Sequence, residues 1–114
     1  MTIVFKTKNC RDYPFNTHAV GGRIKKYNNG LLLTLGDFDQ DFPSKDLNVD
    51  SQDLSNDFGK ILYIQGEKSE IISLGHRNPQ GLLVDNDNIF ITEHGPQGGD
   101  EININILLNL NLNN

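Results

Sequence analysis

The chain has 114 residues, of which 36% are hydrophobic and 22% are charged, and its formal net charge is −5. This composition is typical of one small soluble domain. The 10 Lys and Arg residues are scattered along the chain, which argues against a surface that follows nucleic-acid phosphates. The apolar runs are short and the N-terminus lacks signal-peptide features, so we expect no membrane span and no leader in this chain.

Short β-rich runs, separated by Gly, Asn and Asp, follow one another without a sustained helical period. The sequence therefore predicts an all-β fold, with candidate strands at Arg23 to Lys26, Leu31 to Leu35, Lys60 to Ile64, Ile71 to Leu74, Leu82 to Val84, Ile89 to Thr92 and Ile102 to Ile106. Asn28-Asn29-Gly30 and Asn86-Asp87-Asn88 lie between paired runs. Because their residues tolerate positive φ, each should close a hairpin.

The two predicted hairpins form an internal repeat. Gly22 to Asp37 aligns with Gly81 to Gly95 when Thr34 is matched to Thr92, 58 residues later. Short strands that recur at a long fixed period are typical of β-propeller blades. The repeat therefore predicts a piece of a β-propeller, in which about one full four-stranded blade is followed by most of a second.

The blade-like repeats are predicted over residues 22–76 and 81–106. Between their strands, the stretch from Phe38 to Asp57 is rich in Asp, Ser, Asn and Gln, and we expect it to be a long surface loop. A closed propeller needs at least four blades. The sequence thus predicts a fragment of a larger ring, or a chain that assembles with something else.

The C-terminal tail alternates apolar residues with Asn from Ile102 onward, which is the period of a β-strand. One interpretation of residues 107–114 is a low-complexity terminal strand, whose uncharged edge would favour aggregation if it were open. The other interpretation is that the genuine sequence stops near Ile106. The remainder would then come from a shifted reading frame or a truncated gene.

The run from Gly75 to Gly81 reads Gly-His-Arg-Asn-Pro-Gln-Gly and lies between the two predicted blades. Arg77 offers a planar fork of donors for carboxylates, and Asn78 adds a donor and an acceptor side by side. Together these side chains suit a planar polyanionic ligand. The alternative is a turn in which both side chains hydrogen-bond neighbouring carbonyls, and the residue types alone somewhat favour that alternative.

The run from Thr92 to Glu101 reads Thr-Glu-His-Gly-Pro-Gln-Gly-Gly-Asp-Glu. Hard cations such as calcium take oxygen ligands from carboxylates and main-chain carbonyls, and Gly lets the backbone turn tightly enough to present them. A plain acidic surface loop is the alternative. His94 has no second His or Cys at ligand spacing, so a loop histidine is a simpler interpretation than a zinc ligand.

In their order and spacing the two runs resemble those of the soluble pyrroloquinoline quinone (PQQ)-dependent sugar dehydrogenases, the glucose/sorbosone dehydrogenase family. The resemblance covers about residues 14–106 and implies a partial six-bladed β-propeller. It implies an oxidoreductase that oxidises the C1 hydroxyl of an aldose sugar by base-assisted hydride transfer to PQQ, with calcium as a second cofactor. It leaves the electron acceptor open and implies a periplasmic or secreted parent protein.

The resemblance also assigns a catalytic pair. His18 matches the general base that takes the proton from the sugar hydroxyl, and Asp37 matches the carboxylate that orients this imidazole. The stretch between His18 and Arg23 is one residue longer than in some family members. We expect His18 and Asp37 to lie within hydrogen-bond reach.

Ligand-binding roles follow in the same way. Arg77 and Asn78 match cofactor-contacting residues, and the carbonyls of Gly95 and Pro96 match ligands of the calcium ion. Glu101 matches a carboxylate that binds a second, structural calcium in some members. Blades that would complete the site are absent, so the fragment is expected to be inactive alone. A binding or structural propeller module without catalysis is the alternative.

Overall fold

The computed structural model describes residues 1–7, 18–38, 50–95 and 97–107. In these ranges the chain forms seven strands in two antiparallel sheets, without an α-helix. The strands are β1 (Gly21–Tyr27), β2 (Gly30–Leu35), β3 (Lys60–Gln65), β4 (Lys68–Leu74), β5 (Pro79–Asp85), β6 (Asn88–Glu93) and β7 (Glu101–Ile106). The all-β prediction is confirmed, and every predicted strand lies within an observed one. In the described part of the chain, no helix is long and apolar enough to span a membrane.

The strands follow an up-and-down path. The first sheet has the order β1-β2-β3-β4 and the second has the order β5-β6-β7, with β5 packed beside β1. Asn28 and Asn86 adopt φ angles of 47° and 52° at the two predicted hairpin turns. Asn tolerates this left-handed conformation better than most residues do, which explains its use at both turns.

The first hairpins of the two sheets are equivalent. β1 ends at Tyr27 and β5 ends at Asp85, 58 residues later, and the same offset relates the bounds of β2 and β6. Each hairpin also shifts register near its open end, after Gly21 in β1 and after Pro79 in β5. A β-bulge at the same place in both hairpins bends each first strand where it meets the other sheet.

The hydrophobic core lies between the two sheets. Its members alternate along the strands, as expected when one face of each sheet is buried. They are Tyr27, Leu32, Ile61 and Tyr63 from the first sheet, Leu82, Ile89 and Ile91 from the second, and Leu107 just after β7. Burial of one such side chain contributes about 1.5–3 kcal/mol, so this interface is the main source of stability in the described structure.

The other face of the second sheet is apolar but exposed. The exposed fractions are 59% for Leu83, 74% for Ile102, 60% for Ile104 and 61% for Ile106. By the offset of 58, Phe90 on this face corresponds to Leu32, which packs in the core between the sheets. The second sheet therefore exposes an apolar face that is equivalent to the face with which the first sheet packs against the second.

The prediction that Phe38 to Asp57 form a surface loop is wrong at the C-terminal end of that segment. Residues 39–49 lie outside the described residues, but Asp50–Gln52 form a short 3-10 helix. Asn56 and Asp57 are only 5% and 3% exposed. The reason is local: Asn56 Oδ1 accepts a hydrogen bond from the Phe58 amide at 2.9 Å, and the Phe58 ring packs edge-on against Phe38 at 5.5 Å. Polar residues are buried here because they close a turn that places an aromatic ring.

A side-chain hydrogen bond links the end of β1 to the β5–β6 turn of the second sheet. The Tyr27 hydroxyl donates to Asp87 Oδ1 at 2.7 Å. We predict that Tyr27→Phe lowers the free energy of unfolding by about 1 kcal/mol, measured by urea denaturation. A double-mutant cycle with Asp87→Ala isolates the pair, and a coupling energy near zero would contradict the assigned bond.

The same bond makes stability depend on alkaline pH. Hydrogen bonding to Asp87 and then burial raise the pKa of Tyr27 above its ordinary value of 10.0. The unfolded chain therefore ionises first, and the stabilisation is complete below pH 10, then declines as pH rises through the folded pKa. We predict a steeper loss of stability above pH 10 for the wild type than for Tyr27→Phe. Equal slopes in urea melts at pH 9 and pH 11 would contradict this.

Candidate functional site

The residues Gly75–Asn78, here called the connector, join β4 to β5 and lie against the ends of strands from both sheets. Their main-chain groups find partners outside the connector. The Gly75 amide donates to Ser51 O at 2.9 Å, and the His76 amide donates to Gly59 O at 3.1 Å. Because buried backbone groups need such partners, the connector has one preferred path across the strand ends.

Arg77 is held from two sides. Its amide donates to Glu93 Oε2 at 3.1 Å, at the end of β6. Its carbonyl accepts from the Asp37 amide at 2.9 Å, just after the end of β2. The two runs singled out in the sequence, and the end of β2, therefore meet at the main chain of one residue, Arg77. Arg77 is half-buried, whereas Asp37 is only 2% exposed.

Asn78 has a structural role in addition to any ligand contact. Its side-chain Oδ1 accepts from the Gly21 amide at 3.3 Å. Its carbonyl accepts from the His94 amide, also at 3.3 Å. The side-chain oxygen is therefore bound to an amide that is distant in the sequence and not to a neighbouring carbonyl. A ligand would meet the Nδ2 donor of Asn78 instead.

The segment that carries His18 runs beside the segment that carries Asp37. The Gly36 amide donates to Val20 O at 2.9 Å, and the Phe38 amide donates to Ala19 O at 3.1 Å. His18 is exposed and directly precedes Ala19. The backbone thus brings the two predicted catalytic residues into one region. That their side chains pair stays a prediction.

Gly36 permits this close approach. A Cβ atom at position 36 would stand 1.7 Å from Ala19 O and 2.8 Å from Arg77 O, both of which are backbone atoms. No side chain larger than hydrogen fits there without moving a main chain that is itself hydrogen bonded. The connector, the end of β2 and the segment after His18 therefore pack backbone against backbone.

Thr34 fixes the start of β5 to the first sheet. It is fully buried, and its hydroxyl donates to Pro79 O at 2.8 Å while accepting from the Arg23 amide at 2.9 Å. Arg23 adds a second link, since its Nε donates to Gln80 O at 2.8 Å. The residues directly after the connector are thereby held in place.

Glu93 and His76 form a buried pair beneath the connector. Their side chains are 6% and 5% exposed, and His76 Nδ1 lies 3.3 Å from Glu93 Oε2. On the far side of the ring, His76 Nε2 lies 2.7 Å from Ser73 Oγ. Burial acts to raise the pKa of Glu93, but the His76 contacts and the Arg77 amide outweigh it, and the pKa lies below its ordinary value of 4.5. Glu93 is therefore an ionised acceptor at neutral pH.

The glycine-rich loop folds tightly on itself. The Gly95 amide donates to Asp100 Oδ1 at 3.1 Å, and His94 Nδ1 lies 3.5 Å from Asp100 Oδ2. A Cβ at position 95 would stand 2.3 Å from Gly99 O and 2.9 Å from Gly98 O, so main-chain carbonyls crowd around Gly95. Pro96 lies outside the described residues.

Glu101 begins β7 and is exposed. It pairs with Glu93 across the β6–β7 ladder, and its Oε2 accepts from Asn103 Nδ2 at 3.1 Å. An open cavity of about 360 Å³ lies beside it, lined by Gln80, Thr92, Glu93, His94, Asp100, Glu101 and Ile102. Within the described ranges, three or more His, Cys, Asp or Glu side chains never group closely enough to hold a metal ion. A cation here would depend on main-chain carbonyls and on ligands from elsewhere.

Comparison with known proteins gives the class of protein to which this fold and site belong. The sequence model of the family described as Glucose / Sorbosone dehydrogenase matches residues 2–107. The chain therefore belongs to the glucose/sorbosone dehydrogenase family, and the resemblance stated from its motifs is confirmed.

Two known proteins are similar in sequence to this chain. It is 34% identical over 96 residues to "Aldose sugar dehydrogenase YliI" of Escherichia coli (strain K12), an alignment that covers 74% of this chain and 26% of that protein. It is 32% identical over 96 residues to "Uncharacterized protein slr1608" of Synechocystis sp. (strain ATCC 27184 / PCC 6803 / Kazusa), covering 65% and 23%. The chain thus spans about a quarter of the length of these relatives. No solved structure matches it significantly.

Two residues of the site were missed by sequence reasoning. Thr34 served to align the repeat, and Glu93 lay within the run from Thr92 to Glu101, but neither was given a role in the site. A signal for Glu93 exists: at the offset of 58 it takes the position of Leu35, so a carboxylate replaces an apolar residue at the end of a strand. A charge at such a position is costly unless it is paired.

Thr34 and Thr92 provide a matched test, because they occupy equivalent positions. Thr34→Val leaves the Pro79 carbonyl and the Arg23 amide without their buried partner, so we predict a loss of about 2–3 kcal/mol in the free energy of unfolding. Thr92 is exposed, and Thr92→Val should change it by less than about 0.5 kcal/mol. Similar losses for the two variants in urea denaturation would contradict the role given to Thr34.

Proposed function

We propose that this chain supplies part of the active site of a PQQ- and calcium-dependent aldose dehydrogenase. Family membership supports an oxidoreductase that acts on sugars, and the relative named as an aldose sugar dehydrogenase supports an aldose substrate. The single observation that carries the proposal is that Asp37 and Glu93 both bond to the main chain of Arg77. A periplasmic or secreted location belongs to the same proposal.

We further propose that the two sheets are neighbouring blades of a six-bladed propeller. The common offset of their first hairpins supports this, as does the packing of β5 beside β1. The exposed apolar face of the second sheet is where a further blade would pack, because the equivalent face of the first sheet packs against the second. Further blades would supply the rest of the site.

Arg77 and Asn78 would bind PQQ. This cofactor carries several carboxylates on a planar ring system, which a planar guanidinium and an amide donor suit. Both residues lie on the connector, whose main chain is held by Glu93 and Asp37, while the Gly21 amide holds the Asn78 side chain. A held main chain reduces the entropy lost when the side chains bind a ligand.

The loop at Gly95 would provide oxygen ligands for calcium. Two observations support a calcium site here. The carbonyls of Gly98 and Gly99 lie so close to Gly95 that a Cβ atom would clash with them, and the Asp100 carboxylate is nearby. Calcium accepts both types of oxygen ligand. The carbonyls of Gly95 and Pro96 are the proposed ligands, and Glu101 is proposed for a second, structural ion.

When bound, PQQ would supply the two-electron acceptor for the hydride from the sugar C1. The chain's own contribution is proton transfer: His18 would take the proton of the C1 hydroxyl. Asp37 is nearly fully buried, so a negative charge there is little screened by water and would stabilise the imidazolium that forms. The exposed position of His18 would leave the base accessible to substrate.

The proposal is tested by titrating the purified chain with PQQ, with and without calcium chloride, while the quinone absorbance is recorded. We predict binding that requires calcium and that Arg77→Gln weakens by at least about tenfold, the loss expected for a charge-assisted hydrogen bond. Lys68→Gln removes a cation from the β3–β4 hairpin and serves as the control. A wild type that does not bind PQQ at any calcium concentration would contradict the proposal and favour a module without cofactor chemistry.

A further inference from the structure

The side chain of Glu93 contacts three residues in two parts of the site region, the connector and β7. Its Oε2 accepts from the Arg77 amide at 3.1 Å and faces His76 Nδ1 at 3.3 Å. Its Oε1 accepts from Asn103 Nδ2 at 3.3 Å. One carboxylate therefore links β6 to the connector on one side and to β7 on the other. With only 8% of its surface exposed, Glu93 forms these contacts in a region that water hardly reaches.

The hydrogen bonds also define the state of the His76 ring. An ionised carboxylate can only accept, so the Nδ1 atom that faces Glu93 must carry a proton. In the neutral ring, Nε2 then accepts from the Ser73 hydroxyl, 2.7 Å away. The order Ser73, His76, Glu93 is thus a chain of bonds with one direction, ending at the carboxylate that holds Arg77.

Position 93 carries a carboxylate, whereas the equivalent position in the first sheet carries an apolar side chain. Leu35 holds that place in β2 and is only partly buried. In β6 the carboxylate replaces it next to the connector, where the Arg77 amide needs an acceptor. The substitution Glu93→Leu would keep a side chain of similar volume but would remove the acceptor for the Arg77 amide.

We propose that Glu93 is a positioning residue, which fixes the Arg77 main chain and the His76 ring so that Arg77 and Asn78 are preorganised for their ligand. This inference rests on the proposed function for the identity of that ligand. Glu93 itself is not proposed to touch cofactor or substrate. Its effect is transmitted through the Arg77 amide.

The binding arm uses Glu93→Leu and Glu93→Gln at a fixed pH of about 7.5. We expect Glu93→Leu to weaken PQQ binding in the presence of calcium by about tenfold or more, since a charge-assisted bond is lost. Glu93→Gln should restore binding to within about threefold of the wild type, because the amide oxygen can still accept from Arg77. Glu67→Gln, in the exposed β3–β4 turn, is the charge control and should bind as the wild type does.

The spectroscopic arm reads the His76 ring by long-range ¹H–¹⁵N correlation. We expect a proton on Nδ1 in the wild type. In Glu93→Gln the amide oxygen would take the place of Oε2 and still accept from Nδ1, so the tautomer should be kept. Glu93→Leu removes that acceptor, so the proton should move to Nε2 and the Ser73 hydroxyl should become the acceptor. A role limited to filling space would leave the tautomer unchanged.

Binding of PQQ by Glu93→Leu at wild-type affinity would overturn the inference, as would a wild-type His76 ring protonated only at Nε2. If the wild type does not bind PQQ, the proposed cofactor binding fails, and the His76 ring spectra of the wild type and Glu93→Leu still decide the role of Glu93. If Glu93→Leu does not fold, Glu93→Gln and the wild-type spectrum decide it, because both keep an acceptor for Arg77.

Discussion

Main-chain hydrogen bonds of the connector are the constraint on which the site depends. Where two sheets meet, the amides and carbonyls between β4 and β5 are withdrawn from water and need partners. The ends of β2 and β6 supply them, through the Asp37 amide and the Glu93 carboxylate. Because both bonds converge on Arg77, the fold holds the main chain of this residue in place.

The distribution of roles along the chain follows from this arrangement. Strand interiors provide the apolar packing between the sheets, while strand ends and the connector carry the polar residues. Gly36 allows three main-chain segments to approach closely. Thr34 provides hydrogen-bond partners for the Pro79 carbonyl and the Arg23 amide nearby. Polar groups at the edge of a rigid scaffold can then meet a ligand without a large loss of entropy.

The strands and hairpins were predictable because their signals are local. Alternating apolar residues and Asn-rich turns sufficed for both sheets, and the motifs from Gly75 to Glu101 sufficed for the family. The burial of Asn56 and Asp57 at the end of the Phe38 to Asp57 segment was not predictable, since the turn at Asn56 places the Phe58 ring against Phe38, which is distant in the sequence. Glu93 was missed for the same reason: its partners, His76 and the Arg77 amide, lie on the connector and not on β6.

Amide hydrogen exchange tests whether the connector is held as firmly as the sheets. We predict that the Asp37 and His76 amides exchange only through global unfolding, with protection equal to that of the β2–β3 ladder. The Gly66 amide, in the β3–β4 turn, should exchange quickly in comparison. Exchange of the Asp37 and His76 amides at the rate of the turn would show that the connector opens locally, and would contradict a preorganised site.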